Sequence, residues 1–156
     1  MALALNDAQV LPDGIHDATM EDVRELFGQF HRTDRRMRLC DKLEEYVQEL
    51  RSAKLGQWLL VDGSFIMACV NEPEDVDLML VLPETWDLSA ALKPFQYNLL
   101  SKRMVKKKFP FDLFIVPAGS EAEVKWTEFF SMINPKWYEK LSFPERSIKG
   151  LVRIAL

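Results

Sequence analysis

The spacing of apolar residues along the chain predicts two helices near its start. Between positions 34 and 54, leucine, tyrosine and valine recur every three or four residues among charged side chains, which is the pattern of an amphipathic helix with a solvated outer face. Lys54 and Gly56 mark the end of this helix. A shorter helix precedes it, because Thr19 and Asp22 have the three-residue spacing of a capping box.

Later apolar runs predict four strands. Runs that are apolar almost throughout are typical of strands covered on both faces. The strands are expected at 58–61, 76–82, 111–116 and 150–156. A helical region, broken near Pro94, is expected before the third strand. Another helix is expected to begin at Ser120, with Glu123 completing its cap, and to end before Pro135.

The order of these elements predicts the fold class. Helix, helix, strand, strand, helix, strand, helix and strand in succession indicate an α+β fold in which helices flank a small mixed sheet. A length of 156 residues is that of one domain. We therefore expect a single domain over 1–156, with an N-terminal helical part at 1–56 and the core that carries the chemistry at 57–117.

Composition excludes several classes of protein. A hydrophobic fraction of 48% and a charged fraction of 28% are those of a folded globular protein. The net charge of -4 argues against a surface devoted wholly to nucleic acid. The two cysteines form no disulfide framework or zinc pattern, and no segment has the roughly 20 apolar residues that a membrane span needs. We expect a cytoplasmic protein with no membrane partner.

Three aspartates at the entrances of predicted strands suggest a metal site. Asp75 and Asp77 stand two residues apart at the start of a strand, so their side chains point to the same side with Cα atoms about 6.5 Å apart. Asp112 occupies the same kind of position in the next strand, and joins them if the two strands pair. Carboxylates this close repel one another unless a divalent cation neutralises them. Oxygen ligands favour Mg²⁺ or Mn²⁺.

Two further groups of residues are candidates for binding phosphate. Gly63 lets a phosphate approach the backbone closely, and Ser64 offers a hydroxyl and an amide donor if a helical turn begins there. Lys102 and Lys106 belong to a basic cluster just before the third strand, and their charge suits nucleotide phosphates or an RNA backbone. The alternative for this cluster is that its cations stabilise the end of a helix and face water.

These residues together resemble a known superfamily. Gly63-Ser64, ten residues, Asp75-Val76-Asp77, and then Asp112 in an apolar strand form a pattern similar to that of nucleotidyltransferases with the DNA polymerase β-like fold. The resemblance covers about 58–116 and is strongest to the minimal nucleotidyltransferases of bacteria. The segments 11–16 and 149–154 also resemble a family of small uncharacterised bacterial proteins related to these enzymes.

The resemblance implies a fold, a reaction and a set of roles. It implies the polymerase β-like fold and transfer of a nucleoside monophosphate, with AMP from ATP as the first candidate, onto a hydroxyl of a protein, RNA or small molecule. Asp75, Asp77 and Asp112 would hold Mg²⁺ or Mn²⁺ and act in catalysis, with Asp112 also serving as the base toward the acceptor hydroxyl. Gly63 and Ser64 would hold the terminal phosphates of ATP or another nucleoside triphosphate.

A second function stays open at this point. The chain has no Lys or Arg between Ser64 and Asp77, where the superfamily often has a basic residue. A weakly active domain of this kind would act by contact, for example as the antitoxin of a partner toxin, or as an RNA-binding accessory. A domain this small has little surface for recognising a large substrate, so a protein partner or a second copy in a homodimer would supply that surface. The aromatic residues at 126–138 are expected in the core, with a base-stacking surface as the alternative.

Overall fold

Five strands form one mixed sheet in the computed structural model, which describes residues 3–87 and 89–156. The strands are β1 Ile15–Asp17, β2 Trp58–Asp62, β3 Val76–Leu82, β4 Phe111–Pro117 and β5 Leu151–Ala155. Their order in space is β1-β5-β2-β3-β4. The pairs β1/β5 and β3/β4 are parallel, whereas β5/β2 and β2/β3 are antiparallel. The predicted small mixed sheet is therefore confirmed.

Helices cover both faces of this sheet. In the described part of the chain they are α1 Met20–Phe27, α2 Arg35–Ser52, α3 Pro94–Leu100, α4 Lys102–Lys108, α5 Glu121–Ser131 and α6 Lys136–Lys140. Phe111 packs against Tyr46 of α2, with ring centroids 5.8 Å apart, and Phe114 packs against Trp126 of α5 at 5.0 Å. Phe111 and Phe114 point to opposite faces of β4 because side chains alternate along a strand. The α+β class is thus confirmed. None of these helices combines the length and the apolarity needed to cross a membrane.

The ends of the first two helices follow the local chemistry of their residues. Thr19 and Asp22 form the predicted capping box, since each side chain accepts a hydrogen bond from the backbone amide of the other, at 3.1 and 3.0 Å. Lys54 has a φ of 54°, in the left-handed region. This turn allows the amide of Leu55 to donate to the carbonyl of Leu50 at 2.9 Å, which closes α2.

Several elements differ from the sequence prediction. β1 was not predicted, because three residues with mostly exposed side chains form a strand only through their pairing with β5. The N-terminal part, expected to be helical, therefore also contributes to the sheet. Pro94 begins α3 rather than breaking a helix, and the extended backbone of Ser101 separates α3 from α4. The short helix α6 forms directly after Pro135.

The main hydrophobic core runs without a break from the first helices to the last strand. It includes fully buried residues of α1, α2, β2, β3 and β5, namely Val23, Leu43, Leu59, Leu78 and Val152. A second, smaller cluster consists of Val10, Met67, Val70 and Ile133. This cluster packs the loop that follows β2 against the segment between α5 and α6, next to the candidate site.

Candidate metal centre

One edge of the sheet collects the ends of four strands and a row of carboxylates. The parallel strands β3 and β4 begin at this edge, and the antiparallel arrangement brings the end of β2 and the start of β5 to it. The register pairs Asp77 with Asp62 on one side and with Asp112 on the other. Paired residues share one face of a sheet. Asp62, Asp77 and Asp112 therefore form a row across three strands, with Asp75 beside it.

The three predicted aspartates converge. One carboxylate oxygen from each of Asp75, Asp77 and Asp112 lies within 4.8 Å of the other two. Burial raises the pKa of Asp77 to about 7, and the charges of Asp62, Asp75 and Asp112 add to this effect. Burial and the neighbouring Asp112 also raise the pKa of Asp75. A hard divalent cation would relieve this repulsion, and the all-oxygen donor set fits Mg²⁺ or Mn²⁺.

The turn after β2 brings the backbone close to this cluster. Gly63 has a φ of 81° and a ψ of -164°, a conformation that L-residues with side chains rarely adopt. A Cβ atom at this position would lie 2.5 Å from the Oδ2 atom of Asp77. Ser64 begins a 3₁₀ turn, Ser64–Ile66, which is the helical turn that the sequence analysis required. Glycine is thus needed here because the chain passes directly over a carboxylate.

A cleft of about 380 Å³ opens beside the turn and the aspartates. Asp75, Asp77 and Ser64 are among the residues that line it. Most of the remaining lining is apolar and aromatic, and comprises Phe129, Phe130, Met132, Ile133, Trp137 and Tyr138. Trp126 instead packs on Phe114 at the main core, so the aromatic residues at 126–138 divide between core and cleft. The size of the cleft is that of a site for a small molecule.

Lys102 and Lys106 lie outside the cleft, and Lys106 contacts the aspartates from another side. The Nζ atom of Lys106 is 3.1 Å from Oδ1 of Asp112 and 3.7 Å from Oδ2 of Asp75. The Nζ atom of Lys102 is 4.3 Å from the ring centroid of Phe114. Both lysines line a separate groove of about 490 Å³, which we call the basic groove and which is formed by Lys102, Arg103, Lys106, Lys107 and Asp112. Neither lysine lines the cleft, and Asp112 forms an ion pair with Lys106.

A buried ion pair at the same edge escaped the sequence analysis. Lys149 and Asp62 are each 3% exposed, and the Nζ atom of Lys149 lies 2.8 Å from Oδ1 of Asp62 and 2.7 Å from the carbonyl oxygen of Phe130. Burial raises the pKa of Asp62, although the charge of Lys149 opposes this shift. Asp62 is the single charged residue of β2, which is the signal that the sequence offers, since a charge in an apolar strand requires a partner.

Arg36 was also missed, because the helical pattern assigns it to the solvated face of α2. It is 4% exposed, and its guanidinium donates to the carbonyl oxygens of Phe65, Met67 and Val70 at 2.6 to 2.7 Å and to that of Phe27 at 3.1 Å. The carbonyl of Phe65 belongs to the 3₁₀ turn, and those of Met67 and Val70 belong to the loop that leads out of it. Arg36 therefore fixes the backbone between the turn and the aspartates.

Comparison with known proteins identifies the family. A family model described as "Family of unknown function (DUF6932)" matches residues 3–155. The chain belongs to this family. The match includes the aspartates, the turn and Lys149, and its description assigns no activity. No curated protein and no solved structure matches the chain.

In this DUF6932 protein, Lys106→Met is expected to raise the affinity for Mn²⁺ by about three- to tenfold. The ammonium of Lys106 competes with a metal ion for Asp75 and Asp112, and its half-exposed position keeps the effect modest. Titration calorimetry measures the change. Lys107→Met is the matched control, since it removes the same charge from the adjacent position of the basic groove. Weaker Mn²⁺ binding by Lys106→Met would mean that Lys106 supports the ion instead.

The affinity of this DUF6932 protein for Mn²⁺ is expected to fall as the pH drops below about 7. The pKa of Asp77 is raised to about 7, so below this pH the carboxyl must release a proton before it binds a metal. Each unit of pH then weakens binding by about tenfold for one displaced proton, whereas above pH 7 the affinity is flat. Calorimetry in buffers of different ionisation enthalpy counts the released protons. Equal affinity at pH 5.5 and pH 8 would contradict the assignment of Asp77.

Proposed function

We propose that the chain is a divalent-cation-dependent nucleotidyltransferase with the polymerase β-like fold, which moves AMP from ATP onto a hydroxyl of a protein, RNA or small molecule. The observation that carries this proposal is the convergence of Asp75, Asp77 and Asp112 within 4.8 Å, beside a cleft that Gly63 and Ser64 also line. The carboxylates can bind the metal ion of a metal–triphosphate complex, and the adjacent turn can bind its phosphates.

The charges at the edge of the sheet fit one divalent cation. Besides the three aspartates, the edge carries Asp62 and the ammonium groups of Lys106 and Lys149. Four carboxylates and two ammonium groups leave two negative charges when all are ionised. Bound Mg²⁺ or Mn²⁺ would neutralise this excess and polarise the phosphate that is attacked.

Each residue of the site has a distinct part in the proposed reaction. Gly63, which lacks a Cβ, lets the backbone pass directly over the Asp77 carboxylate, and Ser64 donates from its hydroxyl and its amide to the terminal phosphates. The acceptor oxygen attacks the α-phosphorus, the bond to the β-phosphate breaks, and pyrophosphate leaves along the cleft. Asp112 accepts the proton of the acceptor hydroxyl. Asp112 lines the basic groove, so an acceptor that carries phosphate, such as an RNA end, would lie there.

Labelled ATP tests the class of reaction directly. The protein is incubated with Mg²⁺ and a cell extract, and with ATP labelled at either the α- or the γ-phosphate. Transfer of the α label alone to protein, RNA or a small molecule is expected, and Asp112→Asn should reduce it by about 100-fold or more. Asp13→Asn, at an exposed position, is the matched control. Transfer of the γ label would indicate a kinase, and no transfer of either label would contradict the proposal.

A second candidate function is binding without turnover, as an antitoxin that acts by contact with a partner toxin. Lys106 already pairs with Asp75 and Asp112, so the cluster is partly neutralised by the chain itself. Phe129 and Met132 beside the cleft are also about half exposed, at 53% and 51%, which suits a protein partner. If a variant with both Asp75→Asn and Asp77→Asn protects cells from the toxin as well as the wild type does, contact suffices. Loss of protection favours the enzyme.

A further inference from the structure

The ammonium group of Lys149 has a hydrogen-bond donor to spare. An ammonium carries three N–H donors, and within the described residues Lys149 uses two of them, toward Asp62 at 2.8 Å and the carbonyl of Phe130 at 2.7 Å. The side chain is 3% exposed, yet Lys149 lines the cleft together with Ser64 and Asp77. In the part of the chain that the structure describes, the third N–H has no hydrogen-bond partner, and Lys149 borders a cleft that can hold a ligand.

The surrounding backbone holds this ammonium in place before any ligand arrives. The amide of Lys149 donates to the carbonyl of Ser131 at 2.8 Å, and the amide of Gly150 donates to the carbonyl of Leu11 at 2.9 Å. Asp62, which accepts a hydrogen bond from the ammonium, directly precedes Gly63 in the chain. A cation fixed in this way loses little conformational entropy on binding.

Lys149 also supplies the one buried positive charge among the described residues that line the cleft. No cationic residue occurs between Ser64 and Asp77, and Lys106 lies in the basic groove. Of the two lysines that line the cleft, Lys136 is exposed, whereas Lys149 is buried. A buried ammonium attracts an anion more strongly than one surrounded by water.

We propose that Lys149 is the phosphate-binding cation of the cleft. Its free N–H donates to an oxygen of a polyphosphate that Ser64 also contacts and whose metal ion is held by Asp75 and Asp77. This inference rests on the proposed function and identifies the part of the site that binds the phosphate chain of a nucleoside triphosphate. A purely structural role for the pair of Lys149 and Asp62 is the competing explanation.

Two variants distinguish these roles. Asp62→Asn keeps an oxygen acceptor for Lys149 and removes a negative charge near the phosphates. Asp62→Asn combined with Lys149→Met removes the cation as well. Calorimetry with inorganic tripolyphosphate and Mg²⁺ should show binding at least threefold tighter for the single variant and at least tenfold weaker for the double variant, each relative to the wild type. Lys136→Met is the matched control, and thermal unfolding confirms that each variant is folded.

The outcomes separate this inference from the proposed function. Mn²⁺ alone should bind to the wild type and to the double variant with affinities that agree within about threefold, because both retain the three aspartates. If the wild type and the double variant bind tripolyphosphate equally, or if the single variant binds it more weakly than the wild type, the inference about Lys149 is overturned while the metal site stands. If the wild type binds neither Mn²⁺ nor tripolyphosphate, the proposed function fails and the inference fails with it.

Discussion

Asp77→Asn is expected to weaken the binding of Mg-ATP by more than about 100-fold and yet to stabilise the metal-free protein at pH 8. Asp77 lies in the middle of the row of carboxylates, between Asp62 and Asp112. The variant therefore removes the central carboxylate of the proposed metal site. The variant also removes an ionised group that burial and three neighbouring carboxylates make unfavourable. The ionised carboxylate of Asp77 thus lowers the stability of the metal-free protein, and the same carboxylate is needed to bind a cation.

The direction of the stability change follows from the pKa of Asp77. This pKa is raised from 3.8 to about 7 in the folded protein, so the unfolded chain releases its proton first as the pH rises. The free energy of unfolding therefore falls between about pH 4 and pH 7 and stays reduced above pH 7. Asparagine carries no such cost, and we expect Asp77→Asn to be more stable at pH 8 by about 1–3 kcal/mol. At pH 4 the two proteins should agree.

Two measurements check this prediction. Calorimetry compares the binding of Mg-ATP by the wild type, Asp77→Asn and the surface control Asp13→Asn. Chemical unfolding with a chelator present compares their stability at pH 4 and pH 8. Equal binding of Mg-ATP by the wild type and Asp77→Asn would remove Asp77 from the site, and a variant less stable than the wild type at pH 8 would show that its carboxylate has a structural role.

Arg36→Met is expected to lower the free energy of unfolding by about 3–5 kcal/mol. The guanidinium of Arg36 is 4% exposed and donates to four backbone carbonyls. Methionine would remove this donor from all four, and among the described residues only the carbonyl of Met67 would keep another, the amide of Val70 at 2.9 Å. Burial already lowers the pKa of Arg36 to about 10, which reflects the cost of holding this charge. Thermal unfolding should show a midpoint lower by roughly 10 °C.

Arg38→Met is the matched control for this variant. Arg38 lies on the same helix, and its side chain is 68% exposed in an ion pair with Asp34, so its loss should change the unfolding free energy by less than about 1 kcal/mol. Arg36→Lys should fall between the two, since an ammonium has three donors but lacks the planar fork of a guanidinium. Equal stability of Arg36→Met and Arg38→Met would show that the loop after the 3₁₀ turn holds its conformation without Arg36.

Much of the fold could be predicted because it depends on local patterns. The apolar periodicity of α2 and the apolar runs of β3 and β4 predict these elements within a few residues. The spacing of Asp75 and Asp77 predicts that both project to one side of β3. With Asp112 at the entrance of β4, the parallel pairing of the two strands is enough to bring the three carboxylates together. Binding of a metal by this cluster stays a prediction.

The remaining parts of the site depend on contacts between distant parts of the chain. Lys149 and Asp62 are 87 positions apart, and only the order of the strands makes them neighbours. Arg36 has the charge expected of the outer face of α2, and it is buried because the loop after β2 folds over it. β1 becomes a strand only because its three residues form backbone hydrogen bonds with β5. No local pattern contains this information.

The most direct test of the metal-dependent nucleotidyltransferase assignment is a crystal structure of the protein with Mn²⁺ and an ATP analogue whose α,β-bridging oxygen is replaced by a methylene group. Anomalous scattering is expected to place Mn²⁺ about 2.1 Å from carboxylate oxygens of Asp75 and Asp77, with the phosphate chain in the cleft against Ser64 and Lys149. An analogue bound in the basic groove, or no ion at the three aspartates at saturating Mn²⁺, would contradict the account.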